Sequence, residues 1–172
     1  NELKEDSFKN LELEKNNFSK KVNLFFETDL ELMFPNNYIN SSTERLKLYT
    51  QLNKICELDE LNSFKLELTD RFGALPNVVV ELLNSLELRW LAAALGFDKI
   101  VLKKNILISY MMYFNSDEQK KKLDKLFDYS NIKPNSISFS QKTLADGDRF
   151  IVKIKNIDSV SKAIQVLEDI NT

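Results

Sequence analysis

Paired carboxylates are the side chains of this sequence that come closest to catalytic chemistry. Glu67 and Asp70 lie three residues apart, and Asp146 and Asp148 flank Gly147. General acid–base catalysis needs two such groups held in a cleft with separated pKa values, and the sequence places neither pair in a cleft. Asp146-Gly147-Asp148 has the composition of a turn and is too short for a calcium loop. We therefore predict no catalytic residue and no metal site.

The residue types on which many enzymes depend are missing or isolated. The sequence has no histidine, which excludes Ser-His and Cys-His nucleophile systems. Its one cysteine, Cys56, follows a helical apolar stripe and is predicted to be a small buried hydrophobe. Three glycines, at positions 73, 96 and 147, are too far apart for a phosphate-binding loop. We predict a domain without a cofactor that neither binds nor hydrolyses ATP by itself.

Length and hydropathy indicate one ordinary domain. The 172 residues, 43% of them apolar, are enough for one core, and no apolar run approaches the ~20 residues that span a bilayer. The charged N-terminal stretch does not have the pattern of a secretory signal, so we expect a cytoplasmic protein with no membrane partner. Because the chain opens with Asn1 rather than Met, we also expect it to be a piece of a longer protein.

The charge is distributed unevenly along the chain. The formal net charge is −2 overall, but it is −5 over residues 1–97 and +3 over residues 98–172. Cationic side chains interleaved with aromatic ones in the second half allow an alternative hypothesis, a small nucleic-acid-binding module that uses a basic C-terminal sheet. The residues concerned are Lys142, Arg149, Lys153 and Lys155, with Phe139 and Phe150. The glycine- and aromatic-rich strand signature of RNA-recognition sheets is absent.

Periodicity in the first half predicts a strand followed by three helices. Residues 1–21 are interpreted as a linker or arm, and residues 22–172 as one domain. Loose alternation predicts a strand from Val22 to Met33. Ser41 and Glu44 have the spacing of a capping box, so the first helix follows them, with a predicted inward face of Leu46, Tyr49, Leu52 and Ile55. Leu61, Phe64, Leu68 and Phe72 form the inward face predicted for the second helix.

Glycine and proline mark the ends of these helices, and β-branched runs follow. Gly73 is predicted to end the second helix with a positive φ, Pro76 to lie in the first turn of the third, and Gly96 to end it. Beyond residue 98 the pattern predicts two hairpins, each followed by a helix. The expected fold class is α+β: a three-helix N-terminal half followed by a ββαββα half with a mostly antiparallel sheet.

The segment around Asp70 has polar residues without an evident structural role. Phe72, Gly73 and Pro76 have structural explanations, whereas Asp70 lies unfavourably near the negative end of its helix dipole. One interpretation is a local ion pair with Arg71. The other is a recognition surface, because Glu67 and Asp70, three residues apart, share a helix face.

At this segment the chain resembles the C-terminal domain of bacterial transcription-repair coupling factors, ATP-driven translocases that remove stalled RNA polymerase and recruit excision repair. The similarity is close over residues 30–100 and rests on the order of elements beyond residue 100. The matching residues are Phe34-Pro35, Tyr38-Ile39, Arg45-Leu46, Tyr49, Glu67-x-x-Asp70-Arg71-Phe72-Gly73-x-Leu75-Pro76, Leu82-Leu83, Leu88-Arg89 and Leu95-Gly96-Phe97-x-Lys99-Ile100.

The resemblance implies a regulatory role without catalysis. Such a domain docks on the N-terminal repair module of the same full-length chain and masks the binding surface for the damage-sensor ATPase of excision repair until RNA polymerase is engaged. The ATPase motor lies elsewhere in the full-length protein, which contacts DNA through regions other than this domain. In the family, acidic residues of the second helix meet arginines on the repair module. Carried over to this sequence, the partner-binding residues are Glu67 and Asp70, with Arg71 beside them.

Overall fold

The structure is a computed structural model that describes residues 23–113 and 115–172. In this part of the chain, five helices and five strands follow one another in the order that the sequence predicts. They are β1 (Phe25–Thr28), α1 (Ser42–Leu52), α2 (Leu58–Phe72), α3 (Asn77–Ala94), β2 (Lys99–Lys103), β3 (Ile106–Met112), α4 (Asp117–Ile132), β4 (Ile137–Leu144), β5 (Gly147–Lys155) and α5 (Val160–Asn171). The α+β class, with three helices ahead of a ββαββα half, is confirmed. The predicted arm of residues 1–21 lies outside the described residues.

One mixed sheet, with strand order β1-β2-β3-β5-β4, joins the two halves. The strand β1 runs parallel to β2, and the other three strand pairings are antiparallel. The prediction of a mostly antiparallel sheet is therefore confirmed. The first strand is shorter than predicted. The Thr28 hydroxyl donates to the Leu102 carbonyl at 2.7 Å and accepts from the Leu30 N–H at 3.1 Å, and this side-chain turn ends the strand before the alternating sequence stops.

The helices α3, α4 and α5 cover one face of the sheet, which we call the inner face. Its core includes Ile100, Leu107 and Val152 from the strands, packed with helical residues such as Leu126 and Leu167. The alternate strand positions form the opposite face, which we call the open face because no helix in the described part of the chain contributes to a core there. The open face consists of residues 25 and 27, 99, 101 and 103, 106, 108, 110 and 112, 138, 140 and 142, and 149, 151, 153 and 155.

A second hydrophobic core holds the three-helix half together. It contains Leu48 and Leu52 of α1, Leu61, Phe64 and Leu68 of α2, and Val79, Leu82 and Leu83 of α3, together with Phe34 and Ile39. The inward face predicted for α2 is confirmed. That of α1 is partly wrong, because Leu46 is 67% exposed whereas Leu48 is buried. Cys56 is only half-buried, so its predicted place in the core is also wrong.

The junction between α2 and α3 depends on Gly73. Its φ of 88° confirms the predicted positive φ, but its ψ of −167° lies outside the left-handed helical region, in a region that essentially only glycine occupies. The Gly73 N–H donates to the Thr69 carbonyl at 2.9 Å, and its carbonyl accepts from the Tyr38 hydroxyl at 2.9 Å. Pro76 is the N-cap residue of α3, one position earlier than predicted.

The later turns follow the local sequence rules. At the end of α3 the Gly96 N–H donates to the Ala93 carbonyl at 2.9 Å and the Phe97 N–H to the Ala92 carbonyl at 3.0 Å, which is the Schellman pattern with Gly96 at a positive φ of 91°. Lys104 and Asn105 join β2 to β3 with positive φ values of 51° and 59°, typical of a type I′ hairpin. The bonds at Gly96 and Phe97 thus confirm the predicted end of the third helix, and Lys104-Asn105 forms the turn of the first predicted hairpin.

Candidate docking surface on the second helix

The buried residues of α2 determine which of its residues face outward. Leu61, Phe64 and Leu68 are buried in the helical core, and at about 100° per residue this arrangement directs Leu66 and Asp70 to the side of the helix farthest from the core. Both are exposed. Leu66 is one turn ahead of Asp70, so an apolar and an acidic side chain share this outermost strip.

The three residues singled out in the sequence have two different environments. Glu67 accepts a hydrogen bond from the Gln51 amide at 3.0 Å and one from the Arg71 guanidinium at 3.2 Å. The Arg71 guanidinium also pairs with Glu44 of α1. Glu67 and Arg71 thus bridge α1 to α2, whereas the Asp70 carboxylate has no hydrogen-bond or ion-pair partner among the described residues.

The bridge supports the local ion-pair interpretation for Arg71, with different partners. Its hydrogen bond to Glu44 is the main cause that raises the pKa of Arg71, and Glu67 adds to the effect. The guanidinium also lies over the Phe72 ring, 4.8 Å from its centroid, a cation–π contact. Arg71 is therefore held in place by α1 and by its neighbour, and Asp70, beside it in sequence, is not part of this network.

Glu44 has a role that the capping-box pattern does not reveal. The Ser41 hydroxyl accepts from the Glu44 N–H at 3.2 Å, so Ser41 caps α1 as predicted. The Glu44 side chain, however, binds Arg71, because a fixed guanidinium offers a carboxylate a stronger, charge-assisted bond than a backbone N–H does. The sequence gives no signal for this contact, since 27 residues separate the two partners.

Leu66 is a further exposed residue that the sequence reasoning missed. It is 72% exposed, although a leucine there could be mistaken for a core residue. The available signal was its position outside the Leu61, Phe64 and Leu68 stripe. A large apolar side chain flanked by a carboxylate on an outward helix face is a combination that a protein partner can cover.

A shallow open groove adjoins this surface. It has a volume of about 480 Å³ and lies between the end of α1 and the first turns of α2. Its lining residues are Gln51, Lys54, Ile55, Asp59, Glu60, Ser63, Phe64 and Glu67. Three carboxylates against one lysine make the groove acidic, and Glu67 connects it to the outer strip of α2. The geometry favours a basic partner.

The described residues include neither a candidate metal cluster nor a candidate membrane-spanning helix. They contain no group of three or more cysteine, aspartate or glutamate side chains that could hold a metal ion. None of the helices that the structure describes is both long and apolar enough to cross a membrane.

The basic sheet of the alternative hypothesis has a different arrangement from the predicted one. Phe139 and Phe150 stack on the inner face, with ring centroids 5.6 Å apart, while Lys153 and Lys155 belong to the open face. Lys142 also belongs to the open face. The predicted interleaving is therefore wrong, because alternate residues of a strand point to opposite faces of its sheet. Arg149 is only 13% exposed in its ion pairs with Asp98 and Asp146.

Comparisons with known proteins identify what the chain is similar to. Residues 28–126 match the sequence model of the TRCF domain family. The transcription-repair-coupling factor of Rickettsia conorii is 30% identical over 120 residues, which cover 68% of this chain and 11% of that protein. The factor of Haemophilus influenzae is 35% identical over 78 residues, 43% of this chain and 7% of that protein. The chain thus matches about a tenth of the length of these curated relatives.

The fold has a counterpart among solved structures. A crystal structure described as the C-terminal domain of transcription-repair coupling factor aligns with a TM-score of 0.60 and covers 88% of this chain and 94% of its own. The sequence identity in that alignment is 14%, so this likeness concerns the fold.

Proposed function

Because this chain belongs to the TRCF domain family, the C-terminal domains of transcription-repair coupling factors, we propose that it is the autoinhibitory domain of such a factor. The domain itself carries no catalytic site. It docks on the N-terminal repair module of the same full-length protein and masks the surface that binds the damage-sensor ATPase of excision repair. Engagement of RNA polymerase releases it. The motor belongs to other parts of the full-length protein.

The observation that carries this proposal is the outward strip of α2. Asp70 is exposed and has no partner in the described part of the chain, and Leu66 beside it is exposed to solvent. Neither side chain contributes to a core or to the α1–α2 bridge. Both are therefore available to a partner, and the acidic groove beside Glu67 offers further negative charge to arginines of the repair module.

The energetics separate docking from folding at Asp70. Exposed surface residues without partners usually change stability by no more than about 0.5 kcal/mol when substituted. At an interface, removal of one member of a buried, hydrogen-bonded charge pair costs about 2–5 kcal/mol because the other charge is left unpaired. Asp70→Ala should consequently weaken docking without weakening the domain. Glu67→Ala affects both, since Glu67 also accepts from Gln51 and Arg71.

The test compares binding of the damage-sensor ATPase by full-length parent, Asp70→Ala and the double variant Glu67→Ala, Asp70→Ala. We expect binding to rise in Asp70→Ala and to rise further in the double variant, because the masked surface is freed. The matched control is Asp128→Ala, which removes an exposed carboxylate from α4 and should leave binding unchanged.

Thermal melting of the 172-residue chain supplies the second measurement. The melting temperature of Asp70→Ala should stay close to that of the parent. Unchanged ATPase binding in both α2 variants would refute the assignment of these residues. A large fall in melting temperature for Asp70→Ala would show instead that the carboxylate stabilises the fold.

A further inference from the structure

The open face of the sheet concentrates positive charge in a chain whose net charge is −2. Its cationic residues are Lys99, Lys103, Lys142, Arg149, Lys153 and Lys155. The one acidic residue of the open face, Glu27, pairs with Lys103, and Arg149 is paired with acids at the rim. Lys142, Lys153 and Lys155 have no carboxylate partner among the described residues, so their charge remains available for an anionic ligand. The charge of Lys99 also acts on Glu27.

Two aromatic rings lie in register with one of these lysines. Phe25 of β1 pairs with Lys99 of β2, which pairs with Tyr110 of β3. The Lys99 ammonium is 5.4 Å from the centroid of the Phe25 ring and 5.2 Å from that of Tyr110. Phe25 is 58% exposed, so much of its ring contacts solvent. The same row continues to Ile151 and Ser140, about 19 Å across five strands at ~4.8 Å per strand.

Protection of the sheet against aggregation explains only part of this pattern. Lysines on exposed strands discourage pairing with other chains, and Lys142 on the edge strand β4 fits that purpose. The same purpose disfavours an exposed phenylalanine on the opposite edge strand, because an apolar ring increases the tendency to associate. A cationic surface with accessible rings is instead typical of proteins that bind single-stranded nucleic acids.

We propose that the open face binds single-stranded nucleic acid. Lys142, Lys153 and Lys155 attract the phosphates, and bases stack on Phe25 and Tyr110 near Lys99. A single strand fits better than a duplex because only unpaired bases expose their rings for stacking. This surface is separate from the outward strip of α2, so the inference is independent of the proposed docking function.

Fluorescence anisotropy of labelled dT20 and U20 oligonucleotides with the 172-residue chain tests the proposal. We expect affinity to fall with salt, with a slope of about −0.7 for each phosphate neutralised. The pair Lys153→Glu, Lys155→Glu should lower the affinity at least tenfold and make the slope shallower. Phe25→Ala should lower the affinity for single strands about fivefold or more, with little effect on a duplex of equal length.

The matched control is the pair Lys121→Glu, Lys162→Glu, which makes the same charge change at exposed positions on α4 and α5 away from the open face. Its affinity should match that of the parent once circular dichroism has shown that all variants are folded. An equal loss of affinity in the two double lysine variants would overturn the proposal. The absence of binding of either oligonucleotide at low salt would overturn it too. Binding of a polyglutamate peptide but not of the oligonucleotides would assign the open face to an acidic protein partner instead, and would overturn it as well.

Discussion

Glu81 on α3 caps the N-terminus of α5 and so joins the two halves of the molecule. The side chain is only 8% exposed. One carboxylate oxygen accepts from the Val160 N–H at 2.5 Å, and the other accepts from the Ser161 N–H at 3.3 Å and from the Ser161 hydroxyl at 2.5 Å. Since the Ser159 hydroxyl accepts from the Lys162 N–H, all three first-turn donors of α5 have partners. We predict that Glu81→Ala strongly destabilises the domain.

The magnitude follows from the donors that lose their acceptor. Val160 is fully buried, so its unpaired N–H costs about 1–3 kcal/mol. Ser161 is exposed, so its N–H and hydroxyl can form hydrogen bonds with water instead. Loss of a negative charge at a helix N-terminus adds about 0.3–1 kcal/mol. The expected total is about 1.3–4 kcal/mol for Glu81→Ala. Glu81→Gln keeps one acceptor oxygen and should cost about half as much.

Urea unfolding of the 172-residue chain, followed by circular dichroism, measures these differences. The urea concentration at the midpoint of unfolding should fall for both variants, with an unchanged m-value. In a thermal melt, each kcal/mol of lost stability should lower the melting temperature by about 2–4 °C. The control Glu87→Gln changes another glutamate of α3 for which the described residues supply no hydrogen-bond partner, and it should behave like the parent. Free energies of unfolding for Glu81→Ala and the parent that agree within about 0.5 kcal/mol would refute the capping argument.

Two further predictions concern the helix junction and the sheet edge. Gly73→Ala should destabilise the domain by about 1–3 kcal/mol, purely through backbone strain because an added Cβ would meet no atom within 4 Å; an unchanged melting temperature would show that the junction relaxes. The hydrogen bond from Lys103 is the main cause that lowers the pKa of Glu27. A carboxyl group whose pKa is lower in the folded state than in the unfolded state stabilises the fold at pH values above the unfolded-state pKa. This stabilisation is lost as the pH falls through the folded-state pKa. NMR titration should therefore find a lowered pKa for Glu27 in the parent and a higher pKa in Lys103→Met, whose stability should fall less steeply below about pH 5; identical titrations would contradict this.

Local signals predicted most of the fold. Caps and glycines determine helix ends through backbone bonds only a few residues apart, which is why Ser41, Gly73 and Gly96 could be identified from the sequence. The stripe of α2 was equally clear, because Leu61, Phe64, Leu68 and Phe72 follow one another at spacings of three and four residues. In α1, Leu46 lies three residues before Tyr49 and Leu48 lies four residues before Leu52, so both have helical spacings. Packing against the neighbouring helices, not spacing, buries Leu48.

The parts that could not be predicted depend on contacts between distant residues. Glu81 resembles any surface glutamate in sequence, since its partners at the start of α5 are 79 and 80 residues away. The same holds for Glu44 and Arg71, whose pairing leaves Asp70 as the unpartnered acid of the predicted set. Phe139 and Lys142 are a different case, because they lie three residues apart in one strand. Strand alternation alone therefore places them on opposite faces of the sheet, and the sequence could have shown this.

The parallel pairing of β1 with β2 has a consequence for the order in which the molecule forms. Thr28 and Leu102, which share a hydrogen bond, are 74 residues apart. At ~5–20 residues per second, a ribosome needs about 4–15 s to make the intervening chain. During this time β1 has no strand to pair with, while α1, α2 and α3 are already being completed. Such non-local contacts slow folding. The nascent helical half is therefore expected to collapse first, with Phe25 and Phe26 still unpaired and in need of protection from aggregation until the β2–β3 hairpin emerges.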